Sequence, residues 1–134
     1  MADTNTASTV KKKKNNKRSV PYGRVTIKST FNNTIVTFTD PQGGALAASS
    51  AGACGFRGGK KGTAYAAQVA AEKAGAAAKQ MHGFIKADVY INGVGLGRDA
   101  AVRALQTLDI AVEKITDTTG VPHGGCRPKK ARRV

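Results

Sequence analysis

Residues 90–105 read YINGVGLGRDAAVRAL: the end of an alternating strand, a loop with glycine at every second position, and a helix that opens on an arginine. Just before it, ADVYI (87–91) supplies the strand, and just after it RDAAVRALQTL (98–108) is a helix with Ala101, Leu105 and Leu108 inward. IAVEKITD (110–117) is then a last strand. Further upstream, TAYAAQVAAEKAGAAAKQMHG (63–83) is a second helical stretch, with Thr63 as N-cap, Gly83 as stop and Ala66, Val69, Ala70, Ala77 and Met81 along one face. Its small side chains let it lie close to a sheet. Strand, helix, strand, helix, strand implies right-handed crossovers and parallel pairing in this half of the chain.

The preceding stretch obeys a different period. Residues 23–40, GRVTIKSTFNNTIVTFTD, alternate with β-branched residues throughout and are broken at Asn32-Asn33, a pair that tolerates the positive φ of a two-residue hairpin turn. With Phe31 opposite Thr34, Ser29 faces Val36 and Ile27 faces Phe38, so that Val25, Ile27, Val36 and Phe38 share one face and Lys28 and Thr37 the other. DPQGG (40–44) is a second turn and ALAASSA (45–51) a third strand of small residues. The predicted fold is α/β: one mixed five-stranded sheet, an antiparallel meander followed by a βαβαβ half, carrying two helices. It divides into a basic disordered tail at 1–22, the sheet domain at 23–118 and an extended basic tail at 119–134.

The composition bears on the partner. The chain has 134 residues, 40% of them hydrophobic, and sets 22 Lys and Arg against 8 acids, a formal charge of +14 that calls for a polyanion. Half of the basic residues lie in two blocks: Lys11, Lys12, Lys13, Lys14, Lys17 and Arg18 near one end, and Arg127, Lys129, Lys130, Arg132 and Arg133 near the other. Such blocks repel themselves and bury no apolar surface, so alone in water they are expected to be disordered and to order against a partner. A membrane is set aside because the long helix lacks large apolar anchors. The start MADTNTASTVKKKKNNKRS has no apolar core for a secretory signal, and two cysteines, Cys54 and Cys126, make no disulfide framework; both point to a cytoplasmic protein with reduced thiols.

Two glycine-rich loops precede the two helices. Gly93, Gly95 and Gly97 fail the dinucleotide fingerprint because Arg98 stands where a further glycine is needed. The other loop, GACGFRGGKKGT (52–63), fails the P-loop pattern: Cys54 takes the first glycine position and Lys61 the hydroxyl position, leaving nothing to hold magnesium. Both keep approachable backbone at a helix start, with Arg57, Gly58, Gly59, Lys60 and Lys61 in one and Arg98 in the other, features that suit the phosphates of a polymer. In VPHGGCRPKKARRV (121–134) the prolines and glycines exclude helix and strand, while His123 and Arg127 can stack on or hydrogen-bond to exposed bases.

Other chemistries are weaker. His123 and Cys126 with Cys54 and His82 could compose a zinc site, but without paired spacing the cysteines read as small packed residues and His82 as the end of a helix. Asp40, Asp88 and Asp117, in or at the ends of predicted strands, could bind two metals in a nuclease, yet as isolated aspartates they are easily explained as turn and strand-end residues. A nucleoid-type condensing protein is the third class. No enzyme activity, metal or cofactor is expected. Without a helix-turn-helix, zinc finger or basic zipper, loops and tails must make the contacts, and these read the shape of folded RNA.

FNNTIVTFTDPQG, SAGACGFRGGKKGTAYAAQVAAEKA, VYINGVGLGRDAAVRAL and VPHGGCRPKKARRV, in that order, closely resemble the bacterial form of small-subunit ribosomal protein eleven over about residues 23–134. The resemblance implies a layout similar to ribonuclease H without its activity. It also implies a structural protein of the small-subunit platform, present in one copy and not a homo-oligomer, supporting assembly and translation. It implies contact with small-subunit ribosomal RNA near its 3′ end, beside the exit path of messenger RNA, with small-subunit proteins seven, eighteen and twenty-one as neighbours. The setting would be a bacterial cytoplasm or an organelle with bacterial-type ribosomes. By position, Asn32-Asn33, residues 56–61, residues 93–98 and the tail from His123 match family segments that touch RNA. Val94 and Leu96 depart from the family's usual proline and serine, Gly62-Thr63-Ala64 from Ser-Thr-Pro, Gly124-Gly125 from Asn-Gly, and Lys129 from a proline.

Overall fold

The computed structural model describes residues 19–133. The basic run Lys11, Lys12, Lys13, Lys14, Lys17 and Arg18 lies outside the described residues. The elements are β1 Tyr22–Ser29, β2 Thr34–Thr39, β3 Ala45–Ser50, a 3-10 turn Gly58–Gly62, α1 Ala64–His82, β4 Lys86–Asn92, α2 Arg98–Thr107 and β5 Ala111–Asp117. They form a five-stranded mixed sheet in the order β3-β2-β1-β4-β5, antiparallel across β1, β2 and β3 and parallel where β4 pairs with β1 and β5. This is the meander and parallel half that the change of period predicts. No helix is long and apolar enough to cross a membrane among the described residues.

Both helices cover one face of the sheet. Val25, Ile27, Val36, Phe38, Val89 and Ile91 from the strands meet Ala67, Ala71, Ala74, Ala78, Ala101, Ala104 and Leu105 from the helices. Phe38 and Phe84 pack edge to face, 5.2 Å between ring centroids. The opposite face of β1 is exposed at Arg24, Thr26 and Lys28. On that face Arg24 lies over the Tyr90 ring at 5.6 Å, and the Tyr22 hydroxyl donates to Asp88 at 2.6 Å, a bond that pushes the phenol up to about 12.

The hairpin register differs from the expected one. Ser29 pairs with Thr34, Ile27 with Val36 and Val25 with Phe38, so the loop has four residues, 30–33, and neither Asn32 nor Asn33 has positive φ. Thr30 causes this: its hydroxyl accepts from the backbone N–H of both Asn32 and Asn33, and its own N–H donates to the Asn33 carbonyl. Because the slip is two residues, every side chain keeps its predicted face.

The inward face of α1 also differs. Ala66, Ala67, Ala70, Ala71, Ala74, Gly75 and Ala78 are buried, whereas Met81 is 48% exposed and Val69 and Ala77 are half-buried. In a helix this rich in alanine the apolar pattern runs all round, and side-chain volume decides which side approaches the sheet. A β-carbon at Gly75 would overlap Leu108 and press on Phe38. The predicted caps are in place: Thr63 Oγ1 accepts from Ala66 N–H, and Gly83 adopts φ 64° with its N–H donating to the Lys79 carbonyl.

Candidate nucleic-acid interface

Parallel pairing of β1, β4 and β5 sends their C-terminal ends to one edge of the sheet, where β2 also begins and β3 ends. Ligands of open α/β sheets gather at this edge. It carries the hairpin loop 30–33, the loop 51–61, the loop 93–97 and the root of the C-terminal tail.

Backbone contact, made possible by glycine, welds these segments together. A β-carbon at Gly62 would overlap the Phe31 carbonyl; at Gly93, the Ser29 carbonyl; at Gly95, Ser29 and Thr30; at Gly97, Ala67 and Thr34. Gly95 N–H donates to the Ser29 carbonyl at 3.3 Å. Beneath the loop, Ser29 and Thr34 form a cross-strand pair whose hydroxyls are buried without hydrogen-bond partners, so the small size of these residues is what lets Gly95 and Gly97 settle on them.

Loop 51–57 is built around Arg57. Its Nη1 donates to the carbonyls of Gly52 at 2.7 Å and Phe56 at 3.3 Å, while Cys54 N–H and Phe56 N–H donate to the Ala51 carbonyl. Arg57 therefore acts first as a loop brace. Gly58, with φ 59°, turns the chain into the 3-10 turn, on which Lys60 is exposed and Lys61 half-buried. The first turn of α1 that follows has no acidic residue, so the positive end of its dipole and both lysines favour an anion together.

The loop before α2 has a different balance from the all-positive one read in the sequence. Arg98 opens the helix, where a cation opposes the dipole, and it pairs with Asp117 at 2.8 Å; Asp99 adds a carboxylate to the same turn. Asp117 also accepts from the Thr119 hydroxyl at 2.6 Å and the Thr119 N–H at 3.0 Å. These bonds, Thr119's first and then that of Arg98, hold its carboxyl at about 2. Its contribution to stability is thus fully present above the ordinary value of 3.8 and fades as pH falls toward 2. In Thr119→Val the Asp117 carboxyl is expected to titrate closer to 3.8, readable as the pH dependence of its carboxyl-carbon shift. A midpoint still near 2 would show that Arg98 and the backbone alone depress it.

The tail is rooted at this edge. Thr118 N–H donates to the Ile91 carbonyl at 2.7 Å and Gly93 N–H to Thr119 Oγ1 at 3.0 Å. Beyond this, His123, Arg127, Lys129, Lys130, Arg132 and Arg133 are exposed, without regular structure. Asn32 is exposed at the hairpin tip, whereas the Asn33 amide oxygen is engaged by Thr34 N–H at 2.8 Å. Gly58 and Gly59 are exposed, while Gly95 and Gly97 are buried between loops. The structure thus brings residues 30–33, 57–61 and 93–98 together and starts the tail beside them. The sequence pattern does not single out Thr30, Thr119, Asp117 as a partner of Arg98 or the exposed Phe31, for which an aromatic at a hairpin tip is the available signal; Leu96, which stands where the family has serine, is exposed as well.

The weaker chemistries find no geometry. Asp40 lies at the opposite edge, accepting from Gln42 N–H and Gly44 N–H; Asp88 pairs with Tyr22 and Asp117 with Arg98. No group of three His, Cys, Asp or Glu could hold a metal ion among the described residues. Cys126 is exposed rather than packed, and Cys54 is half-buried beside the Ser49 hydroxyl, 3.5 Å away.

Residues 23–133 match the family described as Ribosomal protein S11. Proteins named small ribosomal subunit protein uS11 from Caldicellulosiruptor saccharolyticus and from Caldicellulosiruptor bescii are each 54% identical to this chain over 122 residues, covering 91% of it and 93% of the relative.

Proposed function

The chain belongs to the ribosomal protein S11 family, and from that premise we propose that it is a non-enzymatic constituent of the small ribosomal subunit that binds the subunit's RNA through the loop-bearing edge of its sheet. The observation that carries this reading is the joining of three loops into one rigid rim, with Lys60 and Lys61 displayed on it and a tail of five cations leaving from it. Backbone N–H groups and lysines neutralise phosphates there, while the tail follows the RNA as an extended arm. The finer placement rests on the family resemblance: the platform near the 3′ end of the RNA, beside the messenger exit path, with proteins seven, eighteen and twenty-one as neighbours.

Sedimentation of a lysate through a sucrose gradient after a high-salt wash tests the assignment. The chain is expected to remain with the small subunit, and recovery in free or DNA-bound fractions would overturn it in favour of a condensing protein. The loop is tested separately. In the double variant Lys60→Ala, Lys61→Ala, the slope of log affinity for small-subunit RNA against log salt is expected to fall by about 2. An unchanged slope would remove these lysines from the interface.

A further inference from the structure

The rim carries apolar side chains as well as cations. Phe31 is 73% exposed at the hairpin tip, Leu96 71% and Val94 59% in the glycine loop, and Tyr65 65% in the first turn of α1. These residues sit on segments that touch: the Phe31 carbonyl lies against Gly62, three residues before Tyr65, and Thr30 lies against Gly95, next to Leu96. Phe56 braces Tyr65 edge to face, 5.8 Å between centroids. Phe31 is not on a floppy tip, because Thr30 ties both following N–H groups and Gly62 closes on the carbonyl of Phe31 itself.

A rigidly mounted ring in water, with Lys60 and Lys61 on the adjoining turn, has no intramolecular reason to be there. Flat apolar faces within reach of cations match the chemistry of an unpaired nucleotide, whose base stacks while its phosphate is neutralised. We infer that Phe31, with Leu96 and Tyr65 exposed on the segments that adjoin its own, is a stacking platform for unpaired bases of the RNA held by this rim. This deepens the RNA-binding reading and rests on it. The charge around the patch favours this occupant over the apolar groove of a protein neighbour.

Phe31→Ala should fold as the parent does, since the ring is exposed, and should weaken binding to small-subunit ribosomal RNA by about tenfold with an unchanged salt slope. Its affinity for a fully paired RNA duplex, which offers no free bases, should equal that of the parent. Phe31→Trp provides a direct readout, because the chain has no tryptophan. Indole emission should be quenched and shielded from iodide when ribosomal RNA binds. Parent-like affinity of Phe31→Ala, or equal weakening toward duplex and ribosomal RNA, would overturn the platform while leaving RNA binding intact. So would unquenched emission in a bound Phe31→Trp protein, which would leave the patch to a protein neighbour. Loss of the parent protein's own salt-dependent RNA binding would instead remove the reading beneath it.

Discussion

Replacing Gly93 by alanine is expected to destabilise the fold by about 3 kcal/mol, lowering the thermal midpoint by on the order of 10 °C. Two separable terms produce this. Gly93 has φ 103°, a conformation that a side chain adopts only under strain, and its missing β-carbon would overlap the Ser29 carbonyl while pressing on Ser29 N. Those are backbone atoms of a central strand, so no side chain can swing aside. Gly43 provides the comparison: its φ is 100°, but nothing lies within 4 Å of the position a β-carbon would take. Gly43→Ala should therefore register the φ term alone, about 1 kcal/mol. Urea unfolding of the two variants separates strain from packing. If Gly93→Ala loses no more than Gly43→Ala, the close approach of the glycine loop to β1 is wrong, and with it the rigidity of the rim. Since Gly93 N–H also donates to Thr119 Oγ1, the same variant should loosen the root of the tail.

Gly93 also shows where sequence reading reached and where it stopped. Glycine at every second position marks the loop between β4 and α2. The reason for Gly93, Gly95 and Gly97, however, is contact with Ser29, Thr30 and Thr34, about sixty residues away, which no local pattern records. The same holds for charge. Arg57 and Arg98 look like unengaged side chains in sequence, yet Arg57, while still exposed, donates to the Gly52 and Phe56 carbonyls, and Arg98 is paired with Asp117 across the loop. What was legible was periodicity. The alternation of β1 and β2 fixes which residues face inward even though the pairing register differs from the expected one by two residues, because a two-residue slip preserves the faces. In α1 periodicity had nothing to act on: with alanine on all sides, the buried stripe was set by how closely Gly75 and its neighbours could approach Phe38 and Leu108.

Deleting residues 127–134 should have the largest effect on RNA binding and almost none on the fold. The segment holds Arg127, Lys129, Lys130, Arg132 and Arg133, all exposed, and the bonds that anchor the tail lie upstream at Thr118 and Thr119. Urea unfolding should therefore match the full chain. Each phosphate neutralised releases about 0.7 to 0.9 counterion, so five contacts amount to a salt slope of about 4. Carried over the roughly 0.8 decade between 0.15 M and 1 M salt, that slope is worth about a thousandfold in affinity at physiological ionic strength. The ordering of a charged, extended arm opposes part of this gain, so a thousandfold is the upper bound. The loop lysines, with a slope of about 2, should account for less. Titrating small-subunit RNA with both proteins across a salt series measures slope and intercept together. A slope reduced by less than about 1 would mean that the tail's charges do not meet phosphates, and the rim would have to carry the interface alone.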